Sequence, residues 1–172
     1  EAYQSLTRQL ATRSVSRHLR HSGIRPGERV LMILPTSRAF VESFFGILLA
    51  GGIPVPIAPP FSLAKLEAYQ ETIRALVSDS GGTHCVSLPS ILEVLEASLR
   101  KENPGLRMMT PEPIAQMISA SDLMEPESSQ TALLQYTSGS TSQPKGDELT
   151  HDNILANIAA ISQALKVGPD DV

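Results

Sequence analysis

Leu133-Leu134-Gln135-Tyr136-Thr137-Ser138-Gly139-Ser140-Thr141-Ser142-Gln143-Pro144-Lys145-Gly146 reads as a short apolar strand running into a loop of glycine and hydroxyl residues closed by a lysine. Such a loop suits a polyphosphate. Small residues let the backbone approach an anion, and successive N–H groups converge on it. Serine and threonine hydroxyls add donors, and Lys145 supplies a mobile point charge. Pro144 fixes one φ angle on the approach to that lysine. The run is not a Walker A loop, which needs G-x-x-x-x-G-K-[ST]. Counted from Gly139, Pro144 replaces the second glycine, and Gly146 follows Lys145 where Ser or Thr would bind Mg²⁺. A flexible Ser/Gly linker is the competing reading. The apolar run before the loop, the periodic helix after it and the closing Pro-Lys-Gly argue against it.

Beyond the loop, Glu148-Leu149 begins a short strand and Thr150 is placed to cap a helix. Ile154, Ile158, Ile161 and Leu165 follow at i, i+4, i+7 and i+11, an amphipathic pattern. His151 at the helix start is a candidate base, but no acid partner lies near it in sequence and a structural role is favoured.

Ahead of the loop, helices alternate with apolar strands. Residues 3–22 carry a helical pattern, and Gly23-Ile24-Arg25-Pro26-Gly27 turns the chain. Val30-Leu31-Met32-Ile33-Leu34 is a continuous apolar run of the kind found in parallel strands covered on both faces. Ser37 caps the next helix, which runs to Ala50. Phe40, Val41, Phe44, Phe45, Ile47, Leu48 and Leu49 make it apolar over most of its surface, which predicts a buried helix. Residues 53–60 are extended. Their alternate prolines remove ladder donors and predict a short strand or one near an edge. Leu63, Leu66, Ile73 and Leu76/Val77 mark a helix stopped by Gly81-Gly82, and residues 83–87 a strand. Ile91/Leu92, Leu95 and Leu99 mark another helix, closed by Asn103-Pro104-Gly105. Leu106-Arg107-Met108-Met109 is a short strand, with a short helix near Ile114. The pattern predicts an α/β domain over residues 1–172 with a largely parallel sheet and helices on both faces. In such sheets ligands sit beyond the carboxyl ends of strands, and the Ser/Gly loop is expected there.

Other candidate sites fail on pattern. Arg13, Arg17 and Arg20 share a helix face, which a solvated surface explains. His18 and His21 lack a third ligand nearby. His84 and Cys85 are adjacent in a strand, point to opposite faces and cannot act as a catalytic pair. Asp122, Glu125 and Glu127 sit in a polar stretch that reads as a surface loop. No metal site is expected. The net charge of -4 argues against a primary nucleic-acid role. No apolar run reaches the ~20 residues that span a bilayer, and no signal peptide opens the chain. The single Cys85 excludes an internal disulfide and fits a reducing, cytoplasmic compartment.

Tyr136 to Gly146, with Leu149-Thr150-His151-Asp152-Asn153 after it, resembles the phosphate-loop signature of the adenylate-forming superfamily. That group comprises acyl-CoA synthetases, peptide-synthetase adenylation domains and luciferases. Leu134 to Thr141 and the proline-rich residues 53–60 are most similar to fatty acyl-AMP ligases. The resemblance spans nearly the whole chain, and only the loop is highly specific. It implies ATP as cosubstrate, with Mg²⁺ held by an acidic residue not found in this chain. It also implies activation of a fatty acid to acyl-adenylate and transfer to an acyl carrier protein or polyketide synthase. Thr137, Ser138, Gly139, Ser140, Thr141, Ser142, Lys145 and Gly146 are the implied ATP contacts, with Lys145 in the catalytic role. The superfamily's enzymes are about three times longer, so the chain is expected to be the N-terminal portion of a larger AMP-binding ligase, inactive alone. Two positions depart from the pattern. Ser142 stands where glycine is commonest. Asp147 stands where an apolar residue is usual, so it is expected to turn outward or raise its pKa. Asp147 is also the feature that favours the competing function, a non-catalytic interaction module that kept the fold. An acyl-CoA synthetase is the other alternative.

Overall fold

The computed structural model describes residues 23–60, 66–111, 126–137 and 145–166. The expected helix over 3–22, the helix near Ile114, Leu63, Asp122 and Glu125 lie outside them.

Strand β1 (Arg29–Ile33) is the fully buried run anticipated from its composition. Ser37 accepts a hydrogen bond from the Phe40 N–H at 3.2 Å and starts α1 (Arg38–Leu49). The chain returns through β2 (Ile53–Ile57), α2 (Leu66–Ser80), β3 (His84–Ser87), α3 (Pro89–Glu102) and β4 (Arg107–Met109). These strands form one parallel sheet in the order β2-β1-β3-β4. Alternation along β1 divides the core in two. Leu31 and Ile33 face α2 and α3, packing with Val55, Cys85, Ile73, Leu76, Val77, Leu95 and Leu99. Val30 and Met32 face α1, packing with Ile47, Ala50 and Val86. The sheet is therefore parallel and covered by helices on both faces, as the alternation of elements requires.

Helix α1 is less buried than its apolar content predicts. Its buried residues besides Glu42 are Ser43, Gly46, Ile47 and Leu48, while Val41 is 38% exposed. Glu42 is buried instead, paired at 2.6 Å with Arg38 one turn back. The number of apolar residues exceeded what one face of a helix on a sheet can hide.

Strand β2 lies at the sheet edge. The Ile53 N–H donates to the Glu28 carbonyl at 2.8 Å, so Ile53, Val55 and Ile57 turn their backbone groups toward β1. Pro54 and Pro56 occupy the alternate positions, where an N–H would point away from the sheet. Residues 131–150 accordingly do not extend that edge. They form a separate antiparallel hairpin of β5 (Thr131–Thr137) and β6 (Lys145–Thr150). Leu134 buries itself in the core with Ile53, Val55 and Ile57. Strand β6 begins at Lys145, earlier than Glu148, because the hairpin register carries pairing up to the loop. Helix α4 (His151–Leu165) follows at once. Thr150 caps it with a full capping box, accepting from the Asn153 N–H at 3.1 Å and donating its own N–H to Asn153 Oδ1 at 3.0 Å. None of its residues is buried, and Leu155, Ile158, Ile161 and Leu165 are exposed.

Candidate active site

Thr137 and Lys145 are register partners, the last residue of β5 facing the first of β6. The hairpin thus closes the ends of the glycine/hydroxyl loop on each other. Of the residues expected to contact phosphate, Thr137, Lys145 and Gly146 are brought together at this mouth, and all three are exposed. Ser138, Gly139, Ser140, Thr141 and Ser142 lie outside the described residues. No acidic side chain among the described residues pairs with Lys145. Its ammonium is therefore not neutralised there. Asp147 faces Gln135 across the ladder, and both are exposed. Its carboxylate is turned outward, the first of the two outcomes expected for it.

Gly146 has a packing reason to be glycine. A Cβ there would stand 2.9 Å from Leu134 Cδ1, 3.1 Å from Tyr136 Cζ and 3.2 Å from Tyr136 Cε1. Leu134 and Tyr136 are two apart on β5 and share a face, so both side chains lean across Gly146. The Tyr136 hydroxyl then reaches Asp79 Oδ2 at 2.5 Å, near the end of α2. Burial first, then the bond to Asp79, hold that hydroxyl well above its ordinary pKa, so it remains a donor at neutral pH. A second anchor joins Arg29 Nη2 to Glu148 Oε1 at 2.9 Å.

The anchors lie near the first residues of the parallel strands. Arg29 is the first residue of β1, Asp79 precedes β3, and Thr131 shares a cavity with Ile53, the first residue of β2. The hairpin is anchored near the amino ends of β1 and β3 and packs along β2. The loop follows the carboxyl end of its own strand, β5, which is not part of that sheet. Nothing in the sequence signalled Asp79, Arg29 or Glu148. Their contacts span 57 and 119 residues, and each is an ordinary surface residue type.

The remaining candidates are structural. His84 is buried, with Nδ1 2.8 Å from Thr83 Oγ1 and 3.6 Å from Glu28 Oε2, while Cys85 enters the opposite core layer. Burial pushes the Cys85 thiol up to about 12, far from a nucleophile's range. Burial lowers the pKa of His151, with Asp152 opposing. Among the described residues no group of three or more His, Cys, Asp or Glu side chains is arranged to hold a metal ion, so no ligand is assigned to Mg²⁺. No helix there is long and apolar enough to cross a membrane.

A parallel α/β core carries a hydroxyl- and glycine-rich stretch between Thr137 and Lys145, a domain of the α/β class with a loop suited to an anion. The chain belongs to the AMP-binding enzyme family, which it matches over residues 3–172. It is 29% identical to the long-chain-fatty-acid–AMP ligase FadD32 of Mycobacterium marinum, over 83% of this chain and 22% of that protein. It is 30% identical to the medium-chain-fatty-acid–[acyl-carrier-protein] ligase JamA of Moorena producens, over 84% of this chain and 25% of that one. A solved fatty acyl-adenylate ligase, from work on the E. coli and L. pneumophila enzymes, superposes with a TM-score of 0.81 at 29% identity. That match covers 94% of this chain and 29% of that structure. The chain spans about a quarter of the length of these relatives.

Proposed function

We propose that this chain supplies the phosphate loop of a fatty acyl-AMP ligase and works as part of a longer enzyme. The observation that carries the reading is the Thr137–Lys145 register pair, whose lysine has no acidic partner among the described residues. A carboxylate oxygen of the fatty acid attacks the α-phosphorus of ATP. The new O–P bond forms as the bond to pyrophosphate breaks. Negative charge then builds on the leaving β- and γ-phosphates. Thr137, Ser138, Gly139, Ser140, Thr141, Ser142 and Gly146 donate to those oxygens from N–H and hydroxyl groups, and Lys145 adds charge. Donors fixed in advance stabilise such charge without reorganising. Mg²⁺, where bound, would screen the same phosphates. A thiol of an acyl carrier protein then takes the acyl group and AMP leaves. The relative JamA, named as an [acyl-carrier-protein] ligase, supports that acceptor. The chain alone leaves the base, the ribose and the carboxylate unheld, and positioning supplies much of such a rate. We therefore expect no adenylation by residues 1–172 on their own.

The test is ATP–pyrophosphate exchange in the enzyme that carries this chain. Lys145→Ala is expected to slow exchange by about 10²-fold, in the range set by removing one preorganised donor, while fatty-acid binding stays unchanged. Wild-type exchange in that variant removes Lys145 from the reaction.

A further inference from the structure

The hairpin that carries the loop packs along β2 through side chains, with Ala132 and Leu134 buried. Among the described residues no backbone hydrogen bond joins it to the parallel sheet. Beside that packing, Leu134 sits in the core, Glu148 pairs with Arg29 and Tyr136 bonds Asp79. These anchors differ in where they act. Leu134 and Glu148 are register partners in mid-strand, whereas Tyr136 pairs with Gly146, directly beside the Thr137–Lys145 mouth. The far end of the Tyr136 contact is rigid. Asp79 stands in the last turn of α2, whose Ile73, Leu76 and Val77 are locked into the core. The near end is rigid too, because the ring lies across the Gly146 backbone with no room for a methyl group.

We propose that Asp79 is a positioning residue for the phosphate loop, and that its hydrogen bond from Tyr136 fixes the distance between the loop mouth and the parallel core. The proposal rests on the reading of the loop as the ATP site. Without the bond the ring loses its outer tether, and the Thr137–Lys145 pair gains freedom relative to the rest of the enzyme. ATP then has to order the mouth as it binds, which weakens its binding and leaves the fatty acid unaffected. The carboxylate touches no reacting atom, so its effect falls on ATP and on loop order.

Tyr136→Phe removes the hydroxyl alone, Asp79→Ala removes the acceptor, and Asp79→Asn keeps an acceptor oxygen of the same reach. In the enzyme carrying this chain, Tyr136→Phe and Asp79→Ala are expected to raise the KM for ATP by about three- to tenfold, the value of one hydrogen bond. The KM for fatty acid stays within about twofold, and Asp79→Asn returns most of the ATP affinity. The double variant is no worse than either single one, because both remove the same bond. Hydrogen exchange without nucleotide is the independent readout, and the Thr137 and Lys145 amides should exchange faster in both variants. Equal rises in both KM values, additive single variants, or an unchanged ATP KM alongside faster exchange each overturn the positioning role. If Lys145→Ala leaves pyrophosphate exchange intact, the ATP-site reading has failed. Unchanged amide exchange in Tyr136→Phe means that the tether itself has failed.

Discussion

Gly146→Ala separates two reasons for a glycine beside a phosphate loop. One is close approach of the nucleotide. The other is the approach of the protein's own side chains. An added Cβ would stand 2.9 Å from Leu134 Cδ1, and real Cβ atoms essentially never come under 3.0 Å. It would also meet the Tyr136 ring at 3.1 and 3.2 Å. Neither neighbour yields easily. Leu134 is 5% exposed within the core, and the ring is tied to Asp79. Overpacking of this kind costs about 1–3 kcal/mol. Against it stands a gain of about 0.4–1 kcal/mol from the stiffer unfolded chain. Alanine is free to take that gain, because Gly146 lies in a strand and is not among the positive-φ glycines. The net is a loss of about 1 kcal/mol, a fall of roughly 2–4 °C in Tm for a chain this size. Thermal unfolding of Gly146→Ala measures it. The Leu134→Val background supplies the control, since shortening that side chain removes the worst overlap. There the same substitution should cost less, with a coupling of at least about 0.5 kcal/mol. A Gly146→Ala protein as stable as its parent, or strict additivity with Leu134→Val, refutes the packing argument. A weaker ATP affinity at unchanged Tm would then assign the glycine to the nucleotide.

Cys85 should resist alkylation in the folded protein at pH 8 and react at once in denaturant, since burial pushes its thiol up to about 12; labelling followed by mass spectrometry reads this directly. His151 makes stability depend on pH with a definite sign. Burial lowers its folded pKa below the ordinary 6.5, so the unfolded chain takes up the proton first. It carries no penalty above that pH, and stability falls as the pH drops below 6.5. His151→Gln should flatten that part of a urea-denaturation series, whereas an unchanged slope shows that His151 charges freely when folded.

The parallel core was legible because its signals are local. A run such as Val30 to Leu34 admits few structures, and Ser37 and Thr150 mark helix starts by hydrogen bonds within three residues. What stayed hidden depends on long-range geometry. Leu133 to Thr137 read as a strand of unstated direction, since an apolar strand carries no mark of its partner's direction. The register Thr137↔Lys145 reveals the hairpin, and it follows from pairing across a loop. The tether from Tyr136 to Asp79 needed two elements in place before either residue meant anything. Helix α4 shows the converse limit. Its period was read correctly, but an amphipathic pattern specifies a face and leaves open whether anything lies against it.

The two prolines of β2 also decide how force passes from the core to the loop. A ladder would make the hairpin one body with the sheet, and tilting it would break several backbone hydrogen bonds together. With Pro54 and Pro56 turned to that edge, the joint consists of side chains. Side chains slide and repack at far smaller cost than a ladder shears. The hairpin is thus joined to the core by packed side chains, with polar anchors at Arg29 and Asp79. The same edge offers no row of donors to a strand from another molecule, so a joint made of side chains comes without an invitation to aggregate.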